Sequence, residues 1–146
     1  MRRSLLIVTF AVLLAGCQGS ATKNKPSLLG KWQGVAVENY HGSNLPDHIA
    51  TACTYTFTND KILIGERGKT NVEFTYTINS TKTPNEIDMI TPDYEKDGKV
   101  LMKGIYKIDI NTLLICQSLP ENDRPTEFKP TKECKSQLLT FKRVIP

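Results

Sequence analysis

Four cysteines, two histidines and scattered carboxylates are the residues of this chain that could do chemistry. A thiol can serve as nucleophile, metal ligand, lipid attachment point or half of a disulfide. His41 and His48 flank Asp47 in a turn-rich stretch. Catalysis would need such groups beside a nucleophile in a pocket, and solvated loop histidines account for them more simply. No CxxC pair is present and only two imidazoles exist, so a zinc site lacks its spacing. Asp93, Glu95 and Asp97 alternate near Gly98. They lack the other ligands of a calcium loop and read as a solvated turn. The expectation is a non-catalytic protein without metal or cofactor.

The first cysteine stands apart. Arg2 and Arg3 precede an apolar run over residues 5–14, the layout of a secretory signal. The run is shorter than the roughly 20 residues of a membrane helix. It ends Leu14-Ala15-Gly16-Cys17, which resembles the lipobox of bacterial lipoproteins. The resemblance implies loss of residues 1–16, a diacylglycerol thioether on Cys17 and an acyl chain on its new amino group. Each buried methylene contributes about 0.8 kcal/mol, so several chains make a stable anchor. Gln18 stands where an aspartate would retain such a protein at the inner membrane. The expected location is the bacterial envelope, lipid-anchored, at the outer membrane facing the periplasm. Residues 17–27, with Gly19, Ser20, Asn24 and Pro26, read as a flexible tether. Residues 28–146 are long enough for one domain.

The net charge of +4 falls once Arg2 and Arg3 are removed. Lys129, Lys132, Lys135, Lys142 and Arg143 are the nearest thing to a basic cluster. A solvated face explains them, and export separates the chain from nucleic acid. Cys53, Cys116 and Cys134 remain in an oxidising compartment. One disulfide and one free buried thiol is the economical reading.

The elements that would position these residues are short alternating runs between turns, the all-β signature. The body starts at Leu28-Leu29-Gly30-Lys31-Trp32, a first strand whose tryptophan plugs one barrel end. Val72-Glu73-Phe74-Thr75-Tyr76-Thr77-Ile78 puts apolar residues at even positions and polar ones at odd positions. Successive side chains of a strand point to opposite faces, so one face is buried. Further strands are read at residues 54–58, 61–65, 86–90, 100–108, 113–116 and 137–143, with Gly104 as a bend. Gly68-Lys69 and residues 92–98 read as turns, and residues 45–50 as one helical turn forming a lid. Residues 120–135 are long, irregular and proline-rich. Eight sequential antiparallel strands predict an up-and-down barrel, with a two-sheet sandwich as the alternative.

From about Leu28 to Arg143 the chain resembles the lipocalin-like domain family of bacterial secreted proteins and lipoproteins abundant in planctomycetes. The matching pieces are Gly30-Lys31-Trp32 with Glu38 and Gly42, Thr56-Phe57-Thr58-Asn59-Asp60-Lys61, and Thr81-Lys82-Thr83-Pro84 leading to Ile87-Asp88. Gly104-Ile105-Tyr106, Leu113-Leu114-Ile115-Cys116, Arg124-Pro125-Thr126-Glu127-Phe128 and Phe141-Lys142-Arg143 follow in order. Lys31 departs from a small threonine. The resemblance implies an eight-stranded lipocalin-like barrel and brings no activity. Cys116 belongs to its pattern, whereas Cys53 and Cys134 do not. The resemblance therefore implies that the two added cysteines pair, Cys53 with Cys134, at a shared rim; Cys116–Cys134 is the second choice. It also implies that Arg143 stacks on Trp32 and closes the barrel.

Two functions fit. One is binding of a small apolar or amphipathic molecule by the inward set Tyr55, Phe57, Phe74, Tyr76, Met89 and Tyr106, whose rings carry hydroxyl handles. The plainer reading is that these side chains fill a small barrel. The other is capture of an envelope protein, for example inhibition of a cell-wall-degrading enzyme, through the proline-stiffened loop carrying Arg124, Pro125, Glu127 and Phe128. Its plainer reading is a plug, with Phe128 on the rim and Arg124 bonding carbonyls.

Overall fold

A computed structural model describes residues 26–67, 69–90 and 101–145. Cys17, the signal and tether up to residue 25, Gly68 and the acidic trio Asp93, Glu95 and Asp97 lie outside the described residues. The strands are β1 (Gly30–Asn39), β2 (Cys53–Phe57), β3 (Lys61–Glu66), β4 (Lys69–Asn79), β5 (Asn85–Ile90), β6 (Met102–Ile108), β7 (Thr112–Ser118) and β8 (Ser136–Arg143). A single-turn helix, α1 (Asp47–Ala50), lies between β1 and β2. Each strand pairs antiparallel with the next, and β1 pairs with β8, so the barrel is closed. Closure leaves no sheet edge to attract other strands.

The core follows the alternation. Tyr55 and Phe57 of β2, Ile62 of β3, Phe74 of β4, Ile87 and Met89 of β5, Leu113 and Ile115 of β7 and Leu139 and Phe141 of β8 share one buried cluster with Trp32. On β1 the parity changes. Trp32 and Gly34 are buried at even positions, and Val37 is buried at an odd one. The β1–β8 register shifts between Gly34 and Ala36. The extra residue of this bulge turns the inward face from even to odd positions. On β4 the alternation covers only the middle of the strand: Phe74 is buried, while Val72 and Ile78 near its ends are exposed. Gly104 causes no register shift. A side chain there would crowd Cys116 O at 2.9 Å and Ile87 Cγ2 at 3.3 Å.

The barrel has two unlike ends. At one lie the start of β1, the β2–β3, β4–β5 and β6–β7 turns and the end of β8. At the other lie α1 and the start of β8. α1 packs on β1 as the lid expected from residues 45–50. Ala50 is its one buried residue, and Ile49, Asp47 and His48 face out.

Residues 119–135 form a strap over the outer wall of β5–β8. Phe128 packs on Ile105, Cys116 and Leu138, a second small core outside the barrel. Strap packing explains why Ile105 and Cys116, which point away from the interior, are nonetheless buried.

Gly34 carries the lid's position. A Cβ at this residue would strike the carbonyl oxygen of Ala50, closer than van der Waals contact allows. Gly34→Ala should therefore lift α1 or distort the bulge and destabilise the fold by about 1–3 kcal/mol. The urea unfolding midpoint measures this, and an unchanged midpoint would mean that the lid moves freely.

Candidate functional site

The end where the described chain begins is built around Trp32 and Arg143, which face each other across the β1–β8 seam. The Arg143 guanidinium carbon lies 4.1 Å from the indole centroid. Its Nε donates to Ile110 O at 2.8 Å, Nη1 to Leu29 O at 2.9 Å and Nη2 to Ser27 O at 2.5 Å. Trp32 Nε1 donates to Leu28 O at 2.7 Å. One planar cation thus covers the ring and holds both the segment entering β1 and the β6–β7 turn. Gly30, with φ of 109°, makes the turn that lets residues 27–29 fold back beneath this group.

Inside, the expected aromatic set divides. Tyr55 packs on Phe141 at 4.7 Å between centroids, and Phe57 meets Tyr76 edge-on at 5.3 Å. Tyr55, Phe57, Phe74 and Met89 are wholly or nearly wholly buried and fill the barrel. Burial pushes the Tyr55 hydroxyl well above the ordinary 10.0. Tyr106 is buried with these residues, yet it and the half-buried Tyr76 border a recess of about 430 Å³ at the Trp32 end, lined also by Leu28, Leu29, Ile78 and Ile108. Tyr76 donates its hydroxyl to Thr58 O at 2.7 Å. Burial pushes the Tyr76 and Tyr106 hydroxyls up as well. Ile78 and Ile108 were not among the expected residues. The signal was present, since each continues the even-position alternation of Tyr76 or Tyr106 by one step.

The loop residues have another role. Arg124 Nη1 donates to Gly104 O at 2.6 Å and Ile87 O at 3.2 Å, and Nη2 forms an ion pair with Asp88 at 2.6 Å. Glu86 lies 3.7 Å from Nε. Pro125 is buried and Phe128 half-buried against the outer wall, not the rim; Glu127 alone of the four faces solvent. The strap spends its two distinctive side chains on its own barrel.

The expected Cys53–Cys134 disulfide is corrected: Cys53, Cys116 and Cys134 are all free. Cys53 shares the inward face of β2 with Tyr55 and packs on the interior cluster. Cys134 lies in the strap's final turn, where its amide donates to Thr131 Oγ1. The strap reaches Cys116 from outside, with Lys129 O accepting from Cys116 Sγ at 3.8 Å. The wall of the barrel separates the two cysteines that a shared rim would have joined. The basic run is also divided. β8 spans the barrel, so Lys135 and Arg143 sit at opposite ends. The His41 ring lies on Tyr40 at 4.1 Å, and His48 is on the exposed face of α1.

No family model, curated protein or solved structure matches the chain.

Arg143→Lys keeps the charge and loses the fork and the ring stacking. It should destabilise by about 2 kcal/mol, against less than about 0.5 kcal/mol for Lys142→Ala, with urea unfolding as the readout. Burial raises the Cys116 thiol from 9.0 to about 11, outweighing its hydrogen bonds to Ser136 and Lys129. The folded chain keeps this proton where the unfolded chain loses it. The resulting stability is complete below the unfolded value and lost as pH rises toward the folded one. Between pH 9.0 and about 11, wild type should therefore lose more stability than Cys116→Ala. Parallel declines in the two proteins would contradict the assignment.

Proposed function

We propose that this chain is a lipid-anchored protein of the bacterial envelope, with a lipocalin-like barrel that binds a small amphipathic molecule non-catalytically. The binding place in this reading is the recess at the Trp32 end. One observation carries it: the side chains of two tyrosines share a recess of about 430 Å³ with Leu28, Leu29, Ile78 and Ile108. An apolar wall with a few hydrogen-bonding groups suits a ligand with an apolar body and a polar head. The barrel's middle is filled by its own side chains, which moves the reading from an interior cup to this end. The anchor rests on Leu14-Ala15-Gly16-Cys17 following the apolar run. The inward commitments of Arg124 and Phe128 favour this reading over capture of a protein by the strap.

Fluorescence titration with 1-anilinonaphthalene-8-sulfonate, an aromatic amphiphile, tests the site. Ile78→Asp should weaken binding by about tenfold, the effect of losing part of one aliphatic contact and placing a charge in the recess. Ile49→Asp, an equally exposed apolar position on the lid helix, should leave binding unchanged. Equal effects at both positions, or no binding by wild type, would overturn the proposed site.

A further inference from the structure

Seven large apolar side chains are exposed among the described residues, and five of them lie at one end of the barrel. Leu29 precedes β1, Ile78 is near the end of β4, Ile110 is in the β6–β7 turn, and Val144 and Ile145 follow β8. Ile110 is 65 % exposed and Ile145 is 71 % exposed. Scattered exposed apolar residues are ordinary, but a cluster on one end marks an interaction surface. Arg143 fixes the arrangement by bonding Ser27 O, Leu29 O and Ile110 O, so the cluster is a built surface. Val144 N also donates to Lys31 O at 2.9 Å, which ties the chain beyond β8 to the same end.

We propose that this end docks on the surface of the membrane that holds the lipid anchor. The inference rests on the anchor reading. The occupant is argued from the chain that leaves this end. Pro26 and Ser27 depart here, and nine residues (17–25) lie between them and the membrane, counting Cys17 itself. That length spans at most about 30 Å, so the domain cannot move far from the bilayer, and this end is the one its tether presents. Charge points the same way. Lys82, Lys107 and Lys142 are exposed around this end, against Asp60 and Asp109, and Lys23 and Lys25 lie in the tether sequence. Cations around an apolar face favour an anionic lipid surface. Docking need not be strong. Tethering converts it to an intramolecular step at high effective concentration, so a few side chains entering the interface suffice. The recess, on the same end, would then open toward the bilayer.

The test uses the mature chain from its host envelope, placed in phosphatidylethanolamine–phosphatidylglycerol vesicles and compared with the same protein in dilute detergent. Intact mass reports acylation, and amide hydrogen exchange reports docking. Amides of residues 109–111 and 144–145 should exchange about tenfold more slowly on vesicles, with those of residues 47–52 unchanged. Ile110→Asp with Ile145→Asp should abolish the difference while the anchor keeps the protein on the vesicles. Acylated protein without protection, or with protection at residues 47–52, overturns the docking and leaves the anchor standing. A mature chain without acyl groups overturns the anchor, and the docking falls with it.

Discussion

Arg143 is the constraint on which one whole end of the molecule depends. Its guanidinium plane covers Trp32 and makes hydrogen bonds to three carbonyls, which belong to segments far apart in sequence. A lysine could supply the charge but not the planar fork that meets all of them at once. With that group in place the strand seam closes, the segment entering β1 folds beneath the ring, and the β6–β7 turn is fixed beside it. Leu29, which lines the recess, and Ile110, on the apolar rim, are among the residues held by this contact.

The architecture was readable because its signal is local. Alternation at residues 72–78 and the turn residues between runs specify strand number and direction without any knowledge of tertiary contacts. Position along a strand was readable too; the start of β2 and the start of β8 do lie at one end. Facing was not. Cys53 turns inward and Cys134 sits on a strap outside the wall, so a pairing inferred from the resemblance and from a shared rim is not formed. The bulge between Gly34 and Ala36 is a further case. It lies beside the close approach of the Ala50 carbonyl to Gly34, a contact between residues remote in sequence that no periodicity announces.

The candidate site was half legible for the same reason. Of the inward set, Tyr55, Phe57, Phe74 and Met89 are core, Tyr106 is core but borders the recess, and only Tyr76 is partly exposed there. Alternation reports which face a side chain takes; it does not report how far along the barrel the filling extends. The strap shows the converse. A proline-rich loop with an arginine and a phenylalanine has the composition of a recognition loop, yet Arg124 lies against sheet carbonyls and Asp88, and Phe128 completes a small outer core. The two ends of the barrel consequently differ in build, one covered by α1, the other apolar and holding the segment that enters β1.

Native mass spectrometry of the protein purified from its own host tests the central claim most directly. The account predicts an added small mass that is lost on denaturation and reduced in occupancy in the Ile78→Asp variant. Bare protein mass throughout, with Tyr76 and Tyr106 equally accessible to chemical modification before and after host lipid extract is added, would contradict it.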